Sequence, residues 1–250
     1  MTSPPARFIT IPLSHYCERA RWALDRVGLP YREEAHAPLF HRIATMRNAG
    51  GTVPVLVQGA ERFVDSGAIL LHANDWGGGD ALYPRDQGLR REVDSLEQTF
   101  TLELGPHVRR WAYAHLLGET RLIREVWSRA IPPFEARLVP LLVPIARRVV
   151  RAGYRISPAS AGRSLERIRS LFRDVDERLR DGRSALVGDR FGAADLTFAS
   201  LAAPMLFPPG CRAVLPDLDR VPEVMRSEVL RLRESAAGEF VLRVYREQRG

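Results

Sequence analysis

The chain has 250 residues, of which 45% are hydrophobic and 27% charged, and its formal net charge is +7. This composition excludes a disordered or fibrous chain, and the length suits one large domain or two ordinary ones. The positive charge would suit a nucleic-acid partner, but acidic residues lie between the arginines at helical spacing over 166–181, which indicates a solvated helix face. The sequence has neither zinc-finger spacing nor a basic region leading into heptads, so we expect no specific nucleic-acid partner.

Cysteines, histidines and apolar runs limit the compartment and the cofactors. Cys17 and Cys211 are too few for a disulfide framework, so we expect a reducing, cytoplasmic location. The longest apolar run, 138–146, contains two prolines and is well short of the roughly 18 residues that a membrane span needs. We therefore expect no transmembrane segment. His107 and His115 lack a neighbouring carboxylate pair or cysteine, so we expect no metal site.

The first elements follow the pattern of a β-α-β unit. Residues 8–11 are mostly β-branched and aromatic and stop at a proline, which predicts a strand. Apolar residues recur every three or four positions over 17–27, and Gly28 follows, so we predict a helix that ends there. Tyr31–Ala35 predicts the second strand.

The next segment completes a small α/β unit. A helix and an antiparallel hairpin are predicted over 40–64, followed by a helix that Asp65 or Ser66 would cap. Pro54 cannot donate to a β-ladder, so we expect a cis peptide bond between Val53 and Pro54, which would turn the backbone of Val53 toward a partner. The predicted order is β-α-β-α-β-β-α.

Four of these motifs together resemble the N-terminal domain of bacterial glutathione transferases. They are the Ser-His-Tyr-Cys sequence at 14–17, the helix through Ala23 and Leu24, the Val53-Pro54 pair, and the helix start at 65–69. Each motif is weak alone, but all four lie in order and at family-like separations within 7–75. The resemblance implies a thioredoxin-like α/β domain in 1–76, a linker in 77–86 and an all-helical bundle in 87–250.

The resemblance implies glutathione as co-substrate and assigns its ligands. Ser14 resembles the serine that donates its hydroxyl to the glutathione sulfur in serine-type members. Val53 would offer its backbone N–H and C=O groups to the cysteinyl part, in a geometry set by Pro54. Ser66 would bind the γ-glutamyl carboxylate at a helix N-terminus, and Asp65 would hold the γ-glutamyl ammonium.

Two parts of such a site stay open. The glycyl carboxylate needs a donor, for which the candidates are His41, Arg42 and Arg47. The second substrate, an electrophilic small molecule, would bind between the domains. Trp111 and His115, four residues apart, can share a helix face there, while Tyr113 lies on another. We interpret these three as ordinary packing, with an aromatic wall facing the electrophile as the alternative.

Ser14 and Cys17 also have other interpretations. Ser14 would equally well cap the first helix. Cys17 would make the protein a glutathione thiol oxidoreductase or lyase that works through a mixed disulfide, or it would simply pack as a small hydrophobic residue. His15, by titrating near neutral pH, and Tyr16, by its hydroxyl, could assist. A non-catalytic binding protein that keeps the fold is the third hypothesis.

Helical periodicity dominates the rest of the chain. Helices are predicted over 87–117, 119–130, 133–152, 164–180, 193–206 and 222–233. The stretch 116–160 is longer than a compact family member requires, and its prolines suggest broken helices that reshape the pocket or an interface. The resemblance also implies a symmetric homodimer and a role in detoxification, by conjugating or exchanging glutathione.

One motif in the helical part resembles the family's central helix. Residues 191–197 look like a capping box with a hydrophobic staple, in which Phe191 would pack on Leu196. Gly192 stands where the family usually has serine or threonine. We expect Asp195 to accept from the Gly192 N–H, which leaves half of the box.

Overall fold

The computed structural model describes residues 5–249, with the side chains of 47–49 outside the described set. The first part is a four-stranded sheet with three helices. Its elements are β1 Ala6–Thr10, α1 His15–Arg26, β2 Tyr31–Ala35, α2 Phe40–Ala49, β3 Val55–Gln58, β4 Glu61–Val64 and α3 Ser66–Trp76. The strand order is β2-β1-β3-β4, with β1 parallel to β2 and antiparallel to β3, and β3 antiparallel to β4. The predicted order and the thioredoxin-like architecture are confirmed.

The register places the apolar residues of the sheet against the helices. Phe8 on β1 lies between Glu33 and Leu56 of the neighbouring strands, and both Phe8 and Leu56 are fully buried. Strand β3 begins at Val55, whereas the sequence run that predicts the first hairpin strand begins three residues earlier, at Thr52. The Val53–Pro54 peptide is cis, as predicted, so the ladder starts only after the proline.

The second part consists of helices. They are α4 Gln87–Thr99, a π-helical turn Phe100–Leu104, α5 Gly105–Leu116, α6 Thr120–Ser128, α7 Pro133–Gly153, α8 Pro158–Leu179, α9 Ala193–Leu206, a 3₁₀ turn Leu218–Arg220, α10 Glu223–Arg233 and α11 Ala236–Gln248. The prediction lacked α11 and began α8 six residues late. Helix α8 begins earlier because Ser157 and Ser160 form a reciprocal cap at its start.

The prediction that prolines break the helices of 116–160 holds where α7 and α8 begin, at Pro132 and Pro158, but is wrong inside α7. Helix α7 continues through Pro140 and Pro144, both of which lie on its exposed side. A proline inside a helix removes one backbone hydrogen bond, and on an exposed face water can satisfy the freed carbonyl. None of the helices within 5–249 is long and apolar enough to cross a membrane.

Helix α9 is the centre of the helical part, since all of its residues are buried. Asp195 caps its start by accepting from the backbone N–H groups of Leu186 at 2.6 Å and Gly192 at 2.8 Å. A Cβ at Gly192 would lie 2.8 Å from the carbonyl oxygen of Leu82, closer than real contacts allow. The close approach of the Leu82 carbonyl therefore requires glycine at position 192, where the family usually has serine or threonine. The predicted staple residue Phe191 stacks on Trp22, at 5.5 Å between ring centroids.

The α/β part and the helices are tied together by a buried ionic cluster. The Glu18 carboxylate is fully buried in α1 and accepts from Arg21 and, at 2.8 Å, from Arg249 beyond the end of α11. The Trp22 indole donates to the backbone of Gln248 at 3.2 Å. Helix α1 therefore packs against the last helix as well as against the sheet.

Candidate functional site

Two adjoining depressions lie between the sheet and the helices. The first, which we call the polar cleft, has a volume of about 400 Å³ and includes the start of α3, the Val53-Pro54 turn and one side of α4. Its charged lining residues are Arg19, Asp65, Asp94 and Glu97. The cleft therefore offers both signs of charge around the N-terminus of a helix.

The start of α3 is shaped by Asp65. This residue has φ of 72°, and its carboxylate accepts from the N–H groups of Gly67 at 2.8 Å and Ala68 at 3.0 Å. Of the two predicted candidates, Asp65 is the helix cap, and its side chain stays exposed to the cleft. Ser66 follows in the first turn and is buried. Four of the predicted binding residues, Val53, Pro54, Asp65 and Ser66, thus line one cleft.

A buried cation lies beneath Ser66, and sequence reasoning missed it. Arg19 in α1 is fully buried and donates to the Ser66 hydroxyl at 3.2 Å, to the Thr101 hydroxyl at 2.9 Å and to the Glu97 carboxylate. Glu97 also accepts from the Tyr83 hydroxyl at 2.6 Å. Buried charges in proteins are normally paired in this way. The pair orients Ser66 and leaves the cleft floor close to neutral.

Ser14 lies at the other depression rather than in the polar cleft. It caps α1, and its Oγ accepts from the Cys17 N–H at 3.3 Å. Because that bond uses a lone pair, the hydroxyl hydrogen of Ser14 is available to a further acceptor. Cys17 is fully buried and lines neither depression. Burial raises the pKa of its thiol to about 11, so the thiol is protonated at neutral pH.

The second depression, which we call the interdomain cavity, has a volume of about 430 Å³. It lies between the loops that follow β1 and β2, the helices α5, α6 and α7, and the segment 214–216. Most of its lining is aliphatic or aromatic. Tyr16 and Val53 line both depressions, which are therefore adjacent and share one wall.

The aromatic residues of α5 divide between packing and lining. Trp111 is buried against His115, with 4.6 Å between their ring centroids, and neither residue lines the cavity. The packing interpretation holds for this pair. Tyr113 does line the cavity, where it stacks on Tyr154 at 5.9 Å. Tyr113 therefore packs against the core and also forms part of the cavity wall.

The roles suggested for His15 and Tyr16 need correction. Burial, with the Arg109 charge, lowers the pKa of His15 to about 3, so its imidazole is neutral and does not titrate near neutral pH. The Tyr16 hydroxyl donates to the Thr101 carbonyl at 2.8 Å, and burial raises its pKa. Tyr16 thus acts as a fixed wall between the two depressions.

Two of the three candidate donors to the glycyl carboxylate lie together at the interdomain cavity. His41 and Arg42 line the interdomain cavity beside Val53, while the side chain of Arg47 lies outside the described residues. Burial lowers the pKa of His41 to about 4, so at neutral pH it is an uncharged donor or acceptor. Within 5–249, no cluster of three or more histidine, cysteine or acidic residues is arranged to hold a metal ion.

Comparison with known proteins agrees with this architecture. Residues 8–75 match the family model described as the N-terminal domain of glutathione S-transferase. A comparison with curated proteins finds no match. Three similar solved structures show the same fold at low identity. The theta class glutathione S-transferase from Xanthomonas axonopodis pv. citri, solved with glutathione bound, is 17% identical with a TM-score of 0.60, covering 98% of this chain and 97% of its own.

Two other solved structures share the fold. Glutathione transferase GSTFuA3 from Phanerochaete chrysosporium is 18% identical with a TM-score of 0.61, and the coverage is 98% of this chain and 97% of its own. Beta-etherase LigF from Sphingobium sp. strain SYK-6 is 15% identical with a TM-score of 0.62, at 96% and 99% coverage. At identities this low, the structural matches establish a shared fold, and their coverage extends it along the whole chain.

Proposed function

We propose that this chain, which has the glutathione S-transferase fold and carries that family's N-terminal domain in residues 8–75, binds glutathione and transfers it to an electrophilic small molecule. The observation that carries the proposal is the adjacency of the polar cleft and the interdomain cavity. A peptide with charged ends can lie along the first, with its sulfur at the mouth of the second.

The γ-glutamyl end of glutathione would occupy the polar cleft. Its carboxylate fits the start of α3, where Ser66 offers a hydroxyl and the helix dipole favours negative charge. The Arg19 guanidinium, 3.2 Å from the Ser66 Oγ, adds positive potential beneath that position. The exposed Asp65 carboxylate, with Asp94 across the cleft, would take the ammonium group.

The middle and far end of the peptide would follow the Val53 turn. The backbone of Val53 lines both depressions and would pair with the cysteinyl residue. The glycyl carboxylate would then reach Arg42, which is exposed at the rim of the interdomain cavity, with His41 as a neutral neighbour. Each of the three charged groups of glutathione would thus face either a residue of opposite charge or the N-terminus of a helix.

The sulfur would lie near Ser14, where the thiolate must be stabilised. A free thiol has a pKa near 8.5, and a hydroxyl donor at a helix N-terminus lowers it. The Ser14 hydroxyl hydrogen is available for this bond because its oxygen, not its hydrogen, serves the helix cap. The thiolate then attacks the electrophilic carbon, a C–S bond forms, and the leaving group departs with its electron pair.

The oxidoreductase or lyase alternative depends on Cys17, and burial argues against it. The thiol has no exposed surface and a raised pKa, both of which oppose attack on a disulfide. The non-catalytic alternative predicts a cleft that binds no glutathione. A symmetric homodimer, a cytoplasmic location and a detoxifying role belong to the same proposal through the family resemblance, and sedimentation velocity tests the dimer.

The testing experiment is calorimetric titration with glutathione of the wild type and Ser66→Ala, with the exposed Ser227→Ala on α10 as matched control. We expect Ser66→Ala to weaken binding about tenfold, or about 1.4 kcal/mol, and the control to leave it unchanged. Ser14→Ala should bind glutathione normally but lower kcat/KM by about 10² or more, as loss of a thiolate donor does. Absence of binding by the wild type at millimolar glutathione would refute the proposal.

A further inference from the structure

The interdomain cavity contains positive charge with no internal compensation. Its lining residues include Arg42 and Arg109 but neither aspartate nor glutamate. Arginine side chains elsewhere in the described part of the chain form many ion pairs, yet Arg109 takes part in none of those found within 5–249. Its Nε is buried and lacks a hydrogen-bond partner. A buried donor of a charged group without a partner is costly, and it indicates a missing acceptor.

Aromatic rings fix the position of Arg109. Its guanidinium carbon lies 4.1 Å from the ring centroid of Tyr154 and 5.7 Å from that of Tyr16. Contact with ring faces orients a planar guanidinium but leaves its N–H groups at the edge, where a carboxylate binds. The next residue, Arg110, differs because it donates to the Tyr154 backbone at 2.9 Å and to Ser164 at 3.2 Å. Arg110 therefore supports the cavity wall, while Arg109 remains available.

Two further buried polar atoms of lining residues lack hydrogen-bond partners. They are the Nε1 of Trp127, which is a donor, and the Nε2 of the neutral His15, which donates or accepts according to the tautomer. The remaining lining is apolar, from residues such as Leu13, Ile123 and Val126. A ligand that complements this apolar lining and its two arginines would present a hydrophobic body together with an anionic oxygen group. A cavity of about 430 Å³ holds a ring system with substituents.

We propose that the second substrate is an aromatic electrophile that carries an anionic oxygen group, a carboxylate or sulfonate, and that Arg109 binds this group. This inference depends on the proposed function, which assigns Arg42 and the start of α3 to the two carboxylates of glutathione. Arg109, on the opposite wall in α5, is then left for the second substrate. It is a specificity-determining residue: it holds the substrate's anion and does not itself react.

A matched pair of acceptors isolates the charge. The acceptors 4-chloro-3,5-dinitrobenzoate and 4-chloro-3,5-dinitrobenzamide have nearly the same shape and reacting carbon. In both, the glutathione thiolate forms a C–S bond at the carbon that bears chlorine, and chloride leaves with the bonding electrons. The thiol proton goes to solvent. The measured quantity is the ratio of kcat/KM for the benzoate to that for the benzamide, after subtraction of the spontaneous rate.

We expect the wild type to prefer the benzoate and Arg109→Gln to lower the ratio of kcat/KM for the benzoate to that for the benzamide at least tenfold. Arg109→Lys keeps the charge and should retain part of the preference, which separates charge from packing. The exposed Arg173→Gln on α8 is the control with the same change in net charge. A wild type with no benzoate preference, or an equal loss with both acceptors in Arg109→Gln, would overturn the inference.

A binding measurement without glutathione separates this inference from the proposed function. Titration of the benzoate and the benzamide into the protein alone, followed by tryptophan fluorescence, should show the same Arg109-dependent preference. If glutathione does not bind but this preference remains, the transferase proposal fails and the anion site stands. If glutathione is transferred but binding and rate ignore the carboxylate, the anion site fails alone.

Discussion

Cys17 should be almost inert to alkylation in the folded protein. Burial raises the pKa of its thiol from an ordinary value of 9.0 to about 11, which lowers the thiolate fraction at neutral pH about a hundredfold. The side chain is also 0% exposed, so access slows the reaction further. We therefore expect iodoacetamide at pH 7.5 to modify Cys17 at least about a hundred times more slowly than free cysteine, as followed by peptide mass mapping.

The same experiment contains its controls. In concentrated urea Cys17 should react at the rate of free cysteine, which shows that the protection comes from the fold. Cys211 allows the effect of access to be compared within one protein, because its side chain is half-buried whereas that of Cys17 is fully buried. The pKa of the Cys211 thiol is also raised, to about 12. Modification of Cys17 within tenfold of the free-cysteine rate, in protein that is still folded, would refute the reasoning and revive the thiol mechanism. Cys17→Ala should keep glutathione transfer.

Three further predictions concern stability and are measured by urea unfolding. Arg249→Met should cost about 3 kcal/mol because it removes one of the partners of the buried Glu18 carboxylate, and a cost under about 1 kcal/mol would contradict that role. Gly238→Ala should destabilise by about 1–3 kcal/mol, since its Cβ would lie 1.9 Å from a backbone oxygen. A Cβ at Gly162 would have no atom within 4 Å, so Gly162→Ala should stabilise the folded protein by up to about 1 kcal/mol. Equal changes in stability for Gly162→Ala and Gly238→Ala would refute the steric argument. Burial raises the pKa of Asp195 from 3.8 to about 6, so the folded state binds this proton more tightly than the unfolded state. Relative to Asp195→Asn, the wild type should gain on the order of 2–3 kcal/mol as the pH falls from 7 to 4, and a flat difference would contradict the shift.

The α/β part could be predicted closely because its signals are local. Proline and glycine separate its elements, Asp65 caps α3 as its sequence position indicates, and a cis peptide bond is found almost only before a proline such as Pro54. Each of these features depends on residues within a few positions of one another. The resemblance to a known family then brought Ser66 and Val53 to the same place.

The residues that could not be predicted act across long sequence distances. Arg19 pairs with Glu97, and no sequence pattern near either residue predicts that contact. Arg109 stands out because no acidic side chain within 5–249 pairs with it. The absence of such a partner can be seen only once α5, α7 and α1 are packed together. Helix α11 was missed because Gly238 interrupts its pattern, although the close approach of the Leu232 carbonyl requires that glycine.

The wall between the two depressions has its origin in a single proline. In the π-helical turn the Gly105 N–H donates to the carbonyl of Phe100, five residues back. The carbonyl of Thr101 would next need the N–H of residue 106, but Pro106 has none. That carbonyl is therefore free to accept from the Tyr16 hydroxyl at 2.8 Å.

Gly105 completes this arrangement by leaving room for the ring. A Cβ at Gly105 would lie 2.2 Å from the Tyr16 hydroxyl oxygen, so only glycine lets α1 and the turn approach this closely. Tyr16 is thereby held between the polar cleft and the interdomain cavity, and its ring face supports Arg109. The adjacent Gly105-Pro106 pair interrupts a predicted continuous helix, and it holds the tyrosine that separates a depression lined by charges of both signs from one lined by arginines alone among its charged residues.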